Sequence, residues 1–229
     1  MSSIVSFIIA FLACLAPILA WLWFLEHEDK HPEPHMLTAL AFIGGMLAVF
    51  VAIYFEKKTL DVLGNSTLTV IIWAAIEELC KLAAAALTAL RLSDNDEPVD
   101  SMMYLITAAL GFSLLENTLF LMTPILSNHY LSAVIVGNYR FLGATILHVI
   151  ASSTIGASLA LAYYKNGASK RLYLFFGIIV AITLHASFNL SIMYLDDAKA
   201  AIPFYAVWIL FVGVLLAFEK VKHITNPSN

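Results

Sequence analysis

The sequence predicts an all-α, polytopic transmembrane helical bundle of seven spans, with eight as the alternative count. Three observations carry that prediction. Of 229 residues, 61% are hydrophobic and only 12% are charged, where soluble domains carry about a quarter charged residues. The mean hydropathy is +0.88. Seven stretches approach the roughly 20 apolar residues that a helix needs to cross a bilayer. So few charges cannot coat a water-facing surface, which excludes a soluble enzyme, and a net charge of −4 gives no field for nucleic acid. The surrounding partner is membrane lipid. Cys14 and Cys80 both lie in apolar runs, so no disulfide framework is available.

The runs follow in order. Ser3–Leu25 lacks the positive flank of a secretory signal and exceeds its usual apolar length, so a retained helix is expected. Met36–Phe55 starts after Pro32 and Pro34, which break any helix continuing from the first run. Leu68–Leu90 is apolar except for Glu77, Glu78 and Lys81, and Met102–Met122 except for Glu116 and Asn117. Leu131–Val136 is too short to cross alone and either extends the next helix or lies at the interface. Phe141–Tyr164 contains His148, with Arg140 at its start. Leu172–Leu195 contains His185 and Asn189, and Ile202–Phe218 closes the series. No repeat or linker divides the chain, so residues 1–229 read as one integral-membrane domain.

Orientation follows from basic residues in the connections. One side receives Lys30, Arg91, Lys165, Lys170, Arg171, Lys220 and Lys222; the other receives Lys57, Lys58 and Lys199. The excess predicts an outside N-terminus and a cytosolic C-terminus.

Charged residues inside spans are the informative ones. Insertion scales assign ~2.5–3.5 kcal/mol to an Arg, Lys or Asp at a helix centre, so such groups must face one another or a wet cavity. With 1.5 Å rise per residue, Glu77 lies ~14 Å from the outer end of its span and His148 ~11 Å. Glu116 and His185 lie ~21 and ~20 Å from the inner ends of theirs. In a core ~30 Å thick, all four fall between the midplane and the outer third. Lys81 is one turn from both Glu77 and Glu78 and can reach either carboxylate. Adjacent carboxylates raise one another's pKa and the ammonium lowers it, a pairing suited to acid–base chemistry.

Three patterns in successive spans, Glu77-Glu78-x-x-Lys81, Phe112-x-x-x-Glu116-Asn117 and His185-x-x-x-Asn189, resemble the PrsW family of intramembrane proteases. That family belongs to the wider group containing the CAAX prenyl endopeptidases and the ABI proteins. The segment from Asp29 to Pro34, Gly44-Gly45, and Arg140-x-x-Gly143 with His148 also match, so the resemblance covers about residues 29–189 and implies a protease core of about 29–195. Ser113 stands where the second motif often has Glu, and Asn189 where some members have Asp.

The resemblance implies an endopeptidase in a bacterial or archaeal cell membrane that cleaves membrane-associated, anti-sigma-factor-like single-span proteins or juxtamembrane segments. Glu77, Glu78, Glu116, His148 and His185 would be its active-site residues, supported by Lys81, Asn117, Arg140 and Asn189.

Two chemistries fit these residues. In one, Glu77, or failing it Glu78, activates water while a histidine and Asn189 hold the oxyanion. In the other, His148 and His185 with Glu116 or Glu78 bind a divalent metal, for which two histidines and a carboxylate suit zinc; Glu116 is the carboxylate placed in that set. No His-Glu-x-x-His helix is present, so the metal stays open. The rival function is a proton-coupled secondary transporter using the same Glu, His and Lys groups, against which stand the missing internal repeat and paired broken helices. His27, His31 and His35, around Pro32 and Pro34, read as a solvated connector, as does Ser93–Asp100.

Overall fold

The computed structural model describes residues 2–29, 31–196, 199 and 201–226; Lys30, counted above toward the basic side, lies outside them. The bundle is all-helical, with no strand among the described residues. We number seven helices: α1 Ser3–Glu28, α2 His35–Leu63, α3 Thr67–Thr88, α4 Asp100–Leu126, α5 Tyr130–Leu161, α6 Gly167–Tyr194 and α7 Ile202–Val221. Leu131–Val136, left undecided by the sequence, is the first part of α5. Among the described residues, six helices are long and apolar enough to cross a membrane. The exception is α3, whose 22 residues reach ~33 Å at 1.5 Å per residue but carry Glu77, Glu78 and Lys81 at their centre.

Local chemistry sets several helix ends. Ser66 Oγ accepts the Thr69 N–H at 3.2 Å to start α3, and Asn166 Oδ1 accepts the Ser169 N–H at 2.9 Å to start α6. Gly64, at φ 60°, stops α2 in a backbone conformation that a side chain would disfavour. Pro203 sits in the first turn of α7, where its missing N–H costs nothing.

At the centre stands α4. Every residue from Asp100 to Leu115 is buried, because α1, α2, α3 and α5 all pack against this helix. Two glycines permit the closest of these contacts. A Cβ on Gly45 would lie 1.9 Å from the Ala108 carbonyl oxygen, and one on Gly111 would lie 2.0 Å from that of Phe42. With lipid on all sides there is little hydrophobic drive between helices, and close backbone packing at small residues takes its place.

One irregularity positions the site. Between Tyr139 and Ile146, α5 widens into a π-helical segment, Arg140–Thr145. Such segments insert residues and turn the following side chains, and they recur at functional sites. Both ends of this one are tied to α4: Arg140 Nε donates to Asn117 Oδ1 at 2.6 Å, and Asn117 Nδ2 donates to Thr145 Oγ1 at 2.9 Å.

The connector expected to be solvated is only partly so. His31 is exposed and pairs with Glu97 at 2.9 Å, but Asp29 and Glu33 are buried, as is Asp100 in the other connector. The Tyr104 hydroxyl, buried on α4, donates to the Glu33 carboxylate and draws the α1–α2 connector inward. Burial, reinforced by Asp100 and Asp29, pushes the Glu33 carboxyl up to about 8 despite the Tyr104 hydrogen bond. A carboxyl with a raised folded-state pKa stabilises fully below its unfolded value, near 4.5, and loses that contribution as pH rises toward 8. Melting temperature should therefore fall between about pH 5 and 8 in the wild type, and Glu33→Gln should flatten that slope. Parallel slopes in the two proteins would remove the assignment.

Candidate active site

Four helices deliver the buried polar residues to one place. From α3, Glu77 and Lys81 are one turn apart, with Glu78 beside them; all three are buried within an otherwise apolar helix. Lys81 Nζ donates to Glu78 Oε1 at 2.5 Å and to His148 Nδ1, from α5, at 2.8 Å. An ammonium only donates, so Nδ1 of His148 accepts. The proton of a neutral His148 then lies on Nε2, which points at Glu116 Oε2 of α4 at 3.0 Å. The same Glu116 oxygen receives Arg140 Nη2 at 2.6 Å, and the Arg140 guanidinium lies 3.8 Å over the Phe120 ring.

On the other side, His185 Nδ1 of α6 bonds Glu78 Oε1 at 2.6 Å, and Ser152 Oγ reaches Glu78 Oε2 at 3.4 Å. Glu78 is thus enclosed by Lys81, His185 and Ser152 and does not open onto free space. Its carboxylate fixes the His185 ring, leaving Nε2 turned the other way, 3.7 Å from Glu77 Oε2. His148 Nδ1 lies 3.9 Å from that same oxygen. Among the described residues, Glu77 Oε2 is buried without a hydrogen-bond partner. An unpartnered buried carboxylate oxygen costs free energy unless something else occupies its field.

Glu77, His148 and His185 together form the group of ligand-type side chains able to hold a metal ion, with ligand atoms within 4.8 Å of one another. A tetrahedral zinc with bonds of about 2.0–2.2 Å sets its ligand atoms roughly 3.3–3.6 Å apart, close to the separations above. The donor set is the two-histidine, one-carboxylate type of catalytic zinc sites, which keep a position open for water. Glu78 behind His185 supplies the carboxylate–histidine support such ligands usually have. The residues fit an ion, provided Lys81 releases His148 and keeps Glu78. The carboxylate that converges with the histidines is Glu77. Glu116, placed in the ligand set from sequence, is occupied by Arg140 and the far nitrogen of His148.

These groups face a cavity of about 570 Å³ whose lining includes Glu77, Glu116, Arg140, His148, His185 and Asn189. Its walls also include Val70 and Trp73 from the start of α3 and Ile192 and Met193 from the end of α6, so it lies in one half of the bundle. Asn189 is thus on the wall, one turn beyond His185, whereas Asn117 is buried and holds the π-helical segment. Lys81 and Glu78 lie behind the wall.

One lining residue escaped the sequence reading. Glu56 of α2 lines the same cavity as Glu77. It abuts Lys57 and Lys58 and reads as the start of a polar connector. The available signal was helical phase: Val49, Ala52 and Glu56 fall on one face of α2, and the first two are almost wholly buried. Trp73 Nε1, which donates to the Glu56 carbonyl oxygen at 3.0 Å, fixes α2 against α3 at this level.

A helical membrane bundle with a buried metal-type cluster open to an internal cavity is the arrangement that an intramembrane hydrolase requires. Within that class, residues 33–217 match the family described as PrsW family intramembrane metalloprotease, and the chain belongs to it. Relatives include the protein named Protease PrsW in Clostridioides difficile, 25% identical over 95% of this chain and 92% of that one. Another is Protease PrsW of Shouchella clausii, 25% identical over 89% of this chain and 94% of that one. No solved structure matches. The chain is a peptidase of the membrane, and the transporter reading is not favoured.

Proposed function

We propose that this protein hydrolyses peptide bonds of single-span membrane proteins, or of their juxtamembrane segments, in a cavity in the outer half of the bilayer. The observation that carries this reading is the unpartnered Glu77 oxygen between His148 and His185. In the orientation with the N-terminus outside, the cavity half of the bundle faces the extracytoplasmic side. Residues 1–229 act as one domain, with the protease core at about 29–195, and α3 is the seventh span.

Glu77, His148 and His185 are the residues that would hold a divalent ion, zinc by its donor set. When bound it would polarise the scissile carbonyl and bring the pKa of its water toward ~7. Glu56, which lines the same cavity as Glu77, accepts the proton lost by the attacking water and returns it to the departing amine. The carbonyl carbon gains the water oxygen, the C–N bond breaks, and the amine leaves protonated. Asn189 donates to the oxyanion. Glu78 holds the His185 tautomer, Lys81 holds Glu78, and Arg140 with Asn117 holds Glu116 and the π-helical segment against His148. The first expectation from sequence, Glu77 as the base, thus becomes a ligand role with the proton passed to Glu56. A substrate helix must unwind locally, because its backbone carbonyl cannot be attacked while hydrogen-bonded within a helix.

The test is to quantify new protein N-termini in membrane fractions of cells expressing either the wild type or the His148→Ala/His185→Ala variant at equal levels. Termini present only with the wild type, mapping beside transmembrane spans on the extracytoplasmic side, are expected. Identical termini, with the wild type folded and a single-span substrate co-expressed, would overturn the assignment.

A further inference from the structure

A second cavity, away from the catalytic one, lies between α3, α5 and α6 at the end of the bundle that carries most of the basic residues. It measures about 490 Å³. Its apolar wall is a strip of α3 through Leu79, Leu82 and Ala86, continued by Leu90 just past the helix end and faced by Leu159 of α5 and Leu174 of α6. From Leu79 to the end of α3 at Thr88 the strip is ~14 Å long at 1.5 Å per residue. Half of a ~30 Å hydrocarbon core is ~15 Å, so the groove matches the depth of one leaflet.

The polar end of the groove is built rather than incidental. Asn95 Nδ2 donates to the Leu90 carbonyl at 3.0 Å, Ser101 Oγ donates to Asn95 Oδ1 at 3.2 Å, and the Tyr163 hydroxyl donates to the Asn95 carbonyl at 2.7 Å. This closes the α3–α4 connector over α5. At the rim stand Arg91 and Lys170, neither with a carboxylate partner among the described residues, while Lys170 rests 5.4 Å from the centre of the Tyr163 ring. Lys165 and Arg171 flank Lys170 in sequence. Of the nearby acids, Glu97 is turned to His31, leaving exposed Asp94 and Asp96 against the four cations.

We infer that this groove binds an anionic phospholipid, with one acyl chain along α3 and the headgroup phosphate between Arg91 and Lys170. Basic pockets between transmembrane helices at the cytoplasmic boundary suit such headgroups. The inference stands independently of the proteolytic reading.

The test uses the purified full chain in micelles containing equal amounts of phosphatidylglycerol and phosphatidylcholine, with bound lipid measured by native mass spectrometry. Each cation near the membrane surface favours an anionic lipid about fivefold, so the wild type should retain phosphatidylglycerol over phosphatidylcholine by about tenfold or more. Arg91→Gln/Lys170→Gln, both exposed positions, should reduce that ratio by about fivefold or more. Lys57→Gln/Lys58→Gln, an equal loss of charge at the opposite end, should leave it unchanged. Ala83→Trp, filling the groove from its lipid side, should lower retention of both lipids. Equal retention by the wild type, or equal effects of the two double variants, would overturn the proposal.

Discussion

Glu77→Gln should abolish cleavage, by about 10²–10⁴-fold or more, without unfolding the protein. Glutamine keeps the shape of the side chain and removes its charge. The open oxygen between His148 and His185 then becomes an amide atom, a poor metal ligand and no proton acceptor. Stability should move the other way. A buried carboxylate oxygen with no partner is a cost in the folded state, so with both proteins stripped of metal the variant should melt at the same temperature as the wild type or higher. Cleavage of a co-expressed single-span substrate, read beside a melting curve, checks both halves. Full activity in a folded Glu77→Gln protein would remove the mechanism, and a large loss of stability would assign Glu77 to the scaffold instead.

Metal dependence should follow the same geometry. Purified wild type should carry about one zinc per chain and lose activity to a strong chelator, with zinc restoring it. His148→Ala/His185→Ala should bind almost none. Glu78→Gln should bind at least about 10–100-fold more weakly, because Glu78 orients His185 from behind and holds the Lys81 ammonium that otherwise rests on His148. Glu116→Gln should likewise weaken binding about 10–100-fold without abolishing it, since Glu116 supports the outer nitrogen of His148 as Glu78 supports that of His185. Elemental analysis after dialysis against graded zinc separates these cases. A chelator-insensitive wild type would leave only the metal-free use of Glu77.

The membrane class and the broad order of the helices were legible because a bilayer permits few backbone solutions, and apolar runs announce them. Glu77, Glu78, Lys81, Glu116, His148 and His185 were legible for the opposite reason, since ionisable groups at that depth are costly anywhere else. Their pairing was not. Whether Glu77 or Glu116 joins the histidines depends on the π-helical segment Arg140–Thr145, which turns Arg140 onto Glu116, and no periodicity announces such a segment. Glu56 was hidden by its neighbours Lys57 and Lys58, whose charge resembles a loop. The buried Asp29 and Glu33 were hidden likewise by two prolines, because Tyr104, which draws Glu33 inward, lies far along the chain.

The three buried charges of α3 also impose an order on biosynthesis. At ~2.5–3.5 kcal/mol each, Glu77, Glu78 and Lys81 oppose release of α3 into lipid as a lone helix by roughly 8–10 kcal/mol. Lys81 answers Glu78 within the helix, but His185 lies 107 residues downstream of Glu78. At 5–20 residues per second, that separation is about 5–20 s of synthesis. During that interval the nascent α3 has to stay at the insertion machinery, or against α2 and α4, until α6 emerges. Ribosome-arrested chains stopped before His185 should accordingly crosslink from α3 to the insertion channel or to α2 and α4, and not to lipid. Early release of α3 into lipid would show that it enters the bilayer without its partners.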